Sequence, residues 1–553
     1  MAIGILGSAL SGLAAFQRSL EVTSNNISNV NTEGYSRQRV ELQTAPEQFV
    51  GHGYLGSGVN ATNIKRSYDE FINTQQRSSA TAFNDVDSFY TLSTQMDNLI
   101  ANESTGLSPA IKSFFNAVND VANDPTSIPA RQVMLSEGDA IARQFNSMSN
   151  RFDDLRQQVN NNLDTSVQEV NGFANSIADL NRKIMDAVGK TSGQQQPNEL
   201  MDQRDLLLSK ISEKMDISVV PQPDGSFSVF TQQGQPLVLG TNASRLSLQG
   251  ASNDPSRLQI MLNGEDITGN LSGGEIFGNI RFRDEMLDPA QNQLGLLATG
   301  LAVEFNKVHQ DGYDLNGDAG LAFFDLGSAT NLPVISKVQD GNLTVTADFV
   351  APTAAVNLGA SYRVDVTGTA PANVYTLTNL SDNSVASGLS DAGLAAFGFN
   401  LNFGGTGSVN VGDSFQVSPF FKAAESIQVN PAVTNPRQIA AASAPNQQGD
   451  NGKALELAGL ESLNLMLGGK NSFTQVYGQL VADVGSQTHN ASVSRSAQKV
   501  LLDQATQARE DLAGVNLDEE AANLIKFQNS YQAAARAVSV ASTLFDSLLG
   551  VIR

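Results

Sequence analysis

The side chains able to do acid–base, nucleophilic or metal chemistry are few and poorly placed for it. Three histidines, His52, His309 and His489, and no cysteine occur in the sequence. None of the histidines has a neighbouring carboxylate and nucleophile of known type, so no catalytic triad is read. Asp314, Asn316 and Asp318 keep the first three spacings of a calcium loop and Asp325 falls at its twelfth position. Ala319, however, stands where that loop needs glycine for its sharp turn, and an Asx-turn loop fits better. Gly51-His52-Gly53-Tyr54-Leu55-Gly56 satisfies G-x-G-x-x-G, but strand-like residues follow it where a pyrophosphate would need a helix N-terminus. Gly189-Lys190-Thr191 imitates the end of a phosphate loop, yet Ile184 replaces the first glycine and a helical pattern precedes it, so it reads as a linker running into Ser192–Gln196. Asp518, Glu519 and Glu520 open a helix, where negative charge complements the dipole. No catalytic, cofactor-binding or metal-ligating residue is therefore assigned, and the chain is not read as an enzyme.

Charge narrows the partners further. The 553 residues include 34 Lys plus Arg against 56 Asp plus Glu, a net charge of -22, which opposes nucleic acid and anionic membrane. Without cysteine there is no disulfide, and the core must carry stability alone. Met1–Phe16 has no basic residue before Arg18 and is interrupted by Gly and Ser, so a cleaved signal is not expected. No run reaches the roughly 20 apolar residues of a membrane helix, and any export must use another signal.

The elements that would position a site are dominated by heptads. Leu6, Leu13, Leu20 and Ile27 recur every seven residues, with Leu10 in the alternate seam position, a coiled-coil pattern. At the other end Leu517, Leu524, Tyr531, Val538 and Phe545 repeat at seven, and Ala521, Gln528, Ala535, Ser542 and Leu549 form a second seam. Between them Ile141, Phe145, Met148, Phe152, Leu155 and Val159 lead through a stutter at Leu163 to Val188, one helix on the order of 70 Å long. Shorter helical patterns cover Val86–Ile100, Ile111–Val121, Glu285–His309 and Phe473–Leu512. Pro223–Phe230 reads as a hairpin, and Asn342–Pro419, with Arg363 its only basic residue, reads as an all-β insertion in which Phe397, Phe399, Leu401 and Phe403 alternate. The expected fold class is multi-domain α+β: terminal coiled-coil helices, an elongated helical bundle, and β-rich outer domains inserted in the middle. The expected boundaries are 1–50 with 515–553 for the terminal unit, 51–215 with 441–514 for the bundle, 216–329 for a mixed β domain with a helix, and 330–440 for the outer insertion.

After the first heptad helix comes Ser24-Asn25-Asn26-Ile27-Ser28-Asn29-Val30-Asn31-Thr32-Glu33-Gly34-Tyr35-Ser36-Arg37. Asn and Ser compete with helix by bonding nearby backbone, and Gly34 tolerates positive φ where the chain turns. The stretch, with Asn25, Asn26, Asn29, Asn31, Gly34 and Tyr35 as its core, resembles the signature of the flagellar axial proteins of rod, hook and hook–filament junction. Asp124-Pro125 with Pro129–Gln132, Pro197–Asp205, Phe282-Arg283-Asp284 with Phe305-Asn306 and His309, and Gly514–Glu520 are similar to segments of the junction members. The β insertion carries no such motif.

This resemblance implies a structural subunit of the bacterial flagellum, secreted through the type III apparatus to the hook–filament junction, without cofactors. It implies self-assembly into a ring or short tube, contact with hook protein below and the second junction protein above, and a cytoplasmic chaperone of the FlgN type on Leu524, Tyr531, Val538, Phe545 and Leu549. Energetics point the same way. Burying Leu6, Leu13, Leu20 and Ile27 stabilises by about 6 to 12 kcal/mol, whereas fixing the ~25 residues before Gly34 costs on the order of 25 to 50 kcal/mol. Neighbouring subunits are expected to complete the packing, and segments up to about Thr44 and after about Val515 to order on assembly. Two readings compete: a secreted cell-wall hydrolase, for which no nucleophile or acid pair is found, and an adhesin-like role for the insertion alongside the structural one. Hook protein shares the Asn-rich motif, but the long Ile141–Val188 helix and Leu200–Asp205 favour a junction member.

Overall fold

The computed structural model describes residues 2–49, 53–102, 106–191, 195–251, 254–330, 332, 334–355, 357–369 and 372–552, with backbone alone at 2, 3, 5 and 548–552. Its helices are α1 (Ala2–Ser28), α2 (Glu70–Ile100), α3 (Leu107–Asn123), α4 (Ile128–Lys190), α5 (Asn198–Lys214), α6 (Gly274–Phe282), α7 (Asp288–Gln310), the short α8 (Asp391–Leu394) and α9 (Ala423–Ser426), α10 (Gly452–Gly459), α11 (Phe473–Ala513) and α12 (Leu517–Ile552). With antiparallel sheets through the middle, the chain is a multi-domain α+β protein.

Local chemistry starts the long helices. Asp69 accepts from the amides of Phe71 and Ile72 to cap α2, Ser127 caps α4 with Pro129 in the first turn, and Ser472 with Gln475 makes a capping box for α11. Helix α4 spans 63 residues, about 95 Å at 1.5 Å per residue, longer than the periodic stretch alone suggested. Its stripe from Ile141 through Phe145, Met148, Phe152, Leu155, Val159, Leu163, Val167 and Val170 to Ile184 is buried. α3 and α5 pack along it, while α2 packs antiparallel to α11, with Tyr477 Oη donating to Ile100 O and Arg509 Nε to Asn73 Oδ1.

A row of asparagines on α4 attaches the sheets. Asn171 donates to Leu246 O and accepts from Leu246 N; Asn181 donates to Phe227 O and Gly240 O and accepts from Phe227 N. Such side chains satisfy strand backbone that a purely apolar helix face would leave unpaired. The hairpin read at Pro223–Phe230 is the turn between the strands Ile217–Pro221 and Phe227–Thr231 of a four-stranded antiparallel sheet.

The segment read as a β insertion holds a five-stranded antiparallel sheet in the order Val334–Lys337, Ser414–Val417, Tyr362–Gly368, Val374–Asn379, Val385–Leu389, with a ladder of Leu343–Phe349 and Phe399–Gly405 beside it. Phe399 and Leu401 point inward as alternation requires. Phe397 differs from expectation: it ends a 3-10 turn, because Gly398 takes φ +95° and redirects the chain before the strand begins.

Candidate assembly site at the paired chain ends

α1 and α12 pack antiparallel, and a β-arm runs beside α1. The arm pairs Gln38–Thr44 with Val59–Arg66 in register Val40 to Ile64, and its tip pairs Gln48–Phe49 with Tyr54–Leu55. It lies close to α1: Val59 N donates to Ser11 Oγ, and Gly58, at φ +103°, sits where a Cβ would strike that hydroxyl. The arm crosses the boundary expected at residue 50, because its second strand belongs to the same ladder as its first.

At the base of this unit the family-like segments meet. Asn26, fully buried, uses all of its amide: Nδ2 donates to Gln38 O at 2.9 Å and Glu520 Oε2 at 3.2 Å, and Oδ1 accepts from Tyr35 Oη at 2.8 Å and Gln38 N at 2.9 Å. Arg37 bonds Glu520 Oε1 at 2.7 Å and Glu519 Oε2 at 2.6 Å, and its amide donates to Ala513 O. Asn29 folds back on Asn25 through both Oδ1 and backbone O, and Thr32 bonds Asn29 Oδ1. Asn31 is exposed on the loop. Gly34 has φ +81°, and a Cβ there would lie 3.0 Å from Leu206 Cβ on α5. On the α5 side Asp202 accepts from Ser36 N at 3.0 Å and from Arg66 Nη1 at 2.7 Å.

The electrostatics follow from this burial. The Tyr35 hydroxyl is pushed up to about 12, chiefly by burial and then by the charges of Asp202, Glu199 and Glu520, so it remains a donor to Asn26. Burial raises Asp202, and the bonds from Arg66 and Ser36 pull part of that back. Arg66 is raised overall, because Asp205 and Asp202 outweigh its own desolvation. Glu519 stays at the exposed N-terminus of α12, where Asn516 Oδ1 accepts from the amides of Asp518 and Glu519; Glu520 does more than complement the dipole, being buried against Asn26 and Arg37.

The heptad residues lie mostly outside this contact. Leu6, Leu10, Leu517, Leu524 and Phe545 are exposed, Leu10 at 56%, while Leu13, Leu20, Ile27, Tyr531 and Val538 are half-buried. Leu549 is helical, and its side chain lies outside those described. The residues fully withdrawn from solvent are instead Ala15, Ser19, Val22, Thr23 and Asn26 on α1, and Glu520 and Ala541 on α12, between which Asn523, Phe527, Ser530, Ala534 and Ala537 are half-buried, as are Tyr531 and Val538. Small residues let the two backbones approach, and Leu6, Leu10, Leu517, Leu524 and Phe545 are left facing outward. The arm tip adds to that surface, with Phe49 and Tyr54 at 67% and 74% exposure and ring centroids 5.5 Å apart.

The chemistry-bearing residues lie apart from this site and from one another. His309 is buried, its ring held between Leu321 O, 2.6 Å from Nδ1, and the Ala440 amide, which donates to Nε2 at 2.9 Å; burial lowers it to about 4. His489 is exposed on α11, and Gly51 and His52 lie outside the described residues. Asp314 Oδ1 accepts from the amides of Asn316 and Asp318 in an Asx-type loop, while Asp325 accepts from Gly327 N and Gln428 Nε2. Lys190 ends α4 and Thr191 caps it. Among the described residues no three His, Asp or Glu side chains converge as a metal would require, and no helix is long and apolar enough to cross a membrane.

Gln38, Arg66 and the arm itself were not anticipated from the sequence. The signal available was the convergence of three separately noted segments, Ser24–Arg37, Pro197–Asp205 and Gly514–Glu520, each rich in Asn, Asp or Glu. Polar residues without an amphipathic pattern of their own are satisfied most cheaply by one another.

Comparison with known proteins agrees with this architecture. The family model "Flagellar hook-associated protein FlgK helical domain" matches residues 93–324, "Flagella basal body rod protein" matches 6–35, and "Flagellar basal body rod FlgEFG protein C-terminal" matches 511–551. The last two coincide with α1 and its motif loop and with α12. Flagellar hook-associated protein 1 of Escherichia coli (strain K12) is 31% identical over 557 residues, and that of Salmonella typhimurium 32% over 566, each alignment covering 99% of both chains. The solved flagellar hook junction protein FlgK from Burkholderia pseudomallei superposes with a TM-score of 0.68 at 25% identity, over 80% of this chain and 100% of that one. The chain belongs to the flagellar hook-associated protein 1 family.

Proposed function

We propose that the chain is a non-enzymatic structural subunit of the extracellular flagellum, that it polymerises at the hook–filament junction through the α1–α12 pair and the arm, and that it joins hook protein to the second junction protein. The observation that carries this reading is the pairing of a fully satisfied polar knot at Asn26 with apolar stripes on the same two helices whose members Leu6, Leu10, Leu517, Leu524 and Phe545 are left exposed. The knot fixes how the helices leave the body, and the stripes have no use within one chain. Exposed contiguous apolar surface of this kind marks an interaction site, and a repeated heterologous contact gives a ring or tube. Residues 1–66 with 515–553 then form the assembling unit, 67–215 with 441–514 the helical body, 216–329 a mixed unit and 330–440 the outward insertion. Before export the α12 stripe around Leu524, Tyr531, Val538 and Phe545 is covered by a cytoplasmic chaperone of the FlgN type, which prevents aggregation. Electron microscopy of cells lacking the protein tests the reading. Hooks without filaments, with flagellin lost to the medium, are expected; filaments of ordinary length on such hooks would refute it.

A further inference from the structure

Four asparagines are followed directly by glycine in this sequence: Asn171, Asn263, Asn316 and Asn451. Such a pair carries its own chemistry, because a glycine amide, with no Cβ to obstruct its approach, can attack the carbonyl carbon of the asparagine side chain before it. How readily it does so depends on how the fold holds the two groups, and one pair is held differently from the other three.

At Asn171 the side chain donates to Leu246 O at 2.9 Å and accepts from Leu246 N at 2.8 Å, and Gly172 lies inside the backbone ladder of α4. At Asn316 Nδ2 donates to Asp314 Oδ2 at 3.0 Å, Oδ1 accepts from Arg437 Nε at 3.1 Å, and the Gly317 amide donates to Asp314 O at 3.2 Å. At Asn451 Nδ2 donates to Ala122 O at 2.6 Å and the Gly452 amide to Asp450 Oδ1 at 2.9 Å. In each of these the attacking amide and the side chain it would attack are both tied down.

Asn263 is exposed, and neither its side chain nor the Gly264 amide has a hydrogen-bond partner among the described residues. The two residues turn the chain between the strands Asp254–Leu262 and Glu265–Asp266, at φ +53° and +90°, the type I′ combination that Asn-Gly suits. A Cβ built on Gly264 would meet nothing within 4 Å, so the turn stands in open space. Its ladder has just two rungs, Met261 to Asp266 and Leu262 to Glu265, and so short a ladder opens readily to bring amide and carbonyl together.

We propose that Asn263 is a site of spontaneous deamidation, singled out from the other three pairs by the fold. The Gly264 amide loses its proton to solvent base, its nitrogen bonds Asn263 Cγ, and the Cγ–Nδ2 bond breaks to release ammonia. The five-membered imide so formed takes up one water molecule at either carbonyl. Opening at one leaves aspartate at position 263; opening at the other leaves isoaspartate, with the main chain running on through Cγ. Both products add a negative charge beside Glu265 and Asp266. Isoaspartate also lengthens the two-residue turn by one backbone atom, which breaks the pairing of Leu262 with Glu265. This is a property of the body of the single chain and does not rest on the proposed function.

The test is timed incubation of the purified full chain in warm neutral buffer, followed by proteolysis and mass spectrometry of the four Asn-Gly peptides. In the native chain the peptide holding Asn263 should convert from amide to acid at least about tenfold faster than the other three, which must first give up hydrogen bonds. The rate should rise with pH, since the attacking amide must lose its proton. In guanidinium chloride, where the fold no longer acts, the four rates should converge. A protein isoaspartyl methyltransferase with labelled S-adenosylmethionine should mark the aged native chain, and Asn263→Gly, which keeps the type I′ turn, should remove most of that label. Similar native rates at all four pairs overturn the proposal, as does native protection of Asn263 equal to that of the others. Label that survives Asn263→Gly overturns it too.

Discussion

Replacing Asn26 by aspartate changes one NH2 to oxygen and nothing else in shape. The side chain can still accept from Tyr35 Oη and Gln38 N, but the two bonds it donated, to Gln38 O and Glu520 Oε2, are lost. A second carboxylate would then face that of Glu520, itself only 2% exposed, at 3.2 Å. Two like charges at that separation repel by roughly 5 kcal/mol at an effective dielectric constant of 20. The chain escapes by protonating the new carboxyl, which costs about 1.4 kcal/mol for each pH unit above its usual value near 3.9, or about 4 kcal/mol at pH 7. The protonated form again donates to Glu520. The knot should therefore weaken by about 4 kcal/mol at pH 7 and recover by roughly 1.4 kcal/mol per unit as pH falls toward 5.

Because the loss is local, the assay is hydrogen exchange on the amides of Arg37 and Gln38, bonded to Ala513 O and Asn26 Oδ1. Combining Asn26→Asp with Glu520→Gln swaps amide and carboxylate across the contact, and should return more than half of the lost protection. A change under about 1 kcal/mol, or the absence of both pH recovery and rescue, would refute the account of Asn26 as the hub of the unit.

Gly34→Ala puts a side chain at φ +81° and 3.0 Å from Leu206 Cβ, so the motif loop should lift from α5 at a cost of about 1 to 2 kcal/mol, read from the same exchange experiment. His309 is held neutral, at about 4 against 6.5 when unfolded, so the unfolded chain binds the extra proton first. Stability should fall as pH drops from about 6.5 to about 4, by roughly 3 kcal/mol in all; a denaturation series in which His309→Gln keeps the parent's slope would contradict this. Phe545→Asp with Leu549→Asp should abolish chaperone binding and polymerisation while the body stays soluble, and ordinary filament growth in that strain would count against the assigned role of the α12 stripe.

The helices of the body were legible because their apolar spacing is dense and continuous: every stripe residue from Ile141 to Val170 on α4 is buried. The asparagines between them were not. Asn171 borders the apolar stripe and Asn181 stands within it, between Ile177 and Ile184, and nothing in their spacing says that a strand's backbone will come to them. The arm was hidden for a related reason. Strands such as Gln38–Thr44 and Val59–Arg66 carry more polar than apolar residues, because α1 covers one side and the other stays open. At the site, Asn26, Gly34 and Tyr35 could be singled out by type, but the pairing of Asn26 with Gln38 and Glu520 and of Gly34 with Leu206 is set by tertiary contact alone.

The two ends of the chain make the limit of periodic reading specific. A heptad stripe identifies a face that some surface must cover, and says nothing of whose surface it is. In α12 the covered face runs through Glu520, Asn523, Phe527, Ser530, Ala534, Ala537 and Ala541, in which Phe527 is the one large apolar residue, so a search for large apolar repeats does not find it. Its strength comes from close approach and from the knot at Asn26. The stripe that the search does find flanks it: Tyr531 and Val538 are half-buried, and Leu517, Leu524 and Phe545 are the surplus. A subunit whose internal seam is small and polar can form its own pair without consuming the stripes that its neighbours need, and for a polymerising chain the most conspicuous apolar repeat is then the one its own fold leaves open.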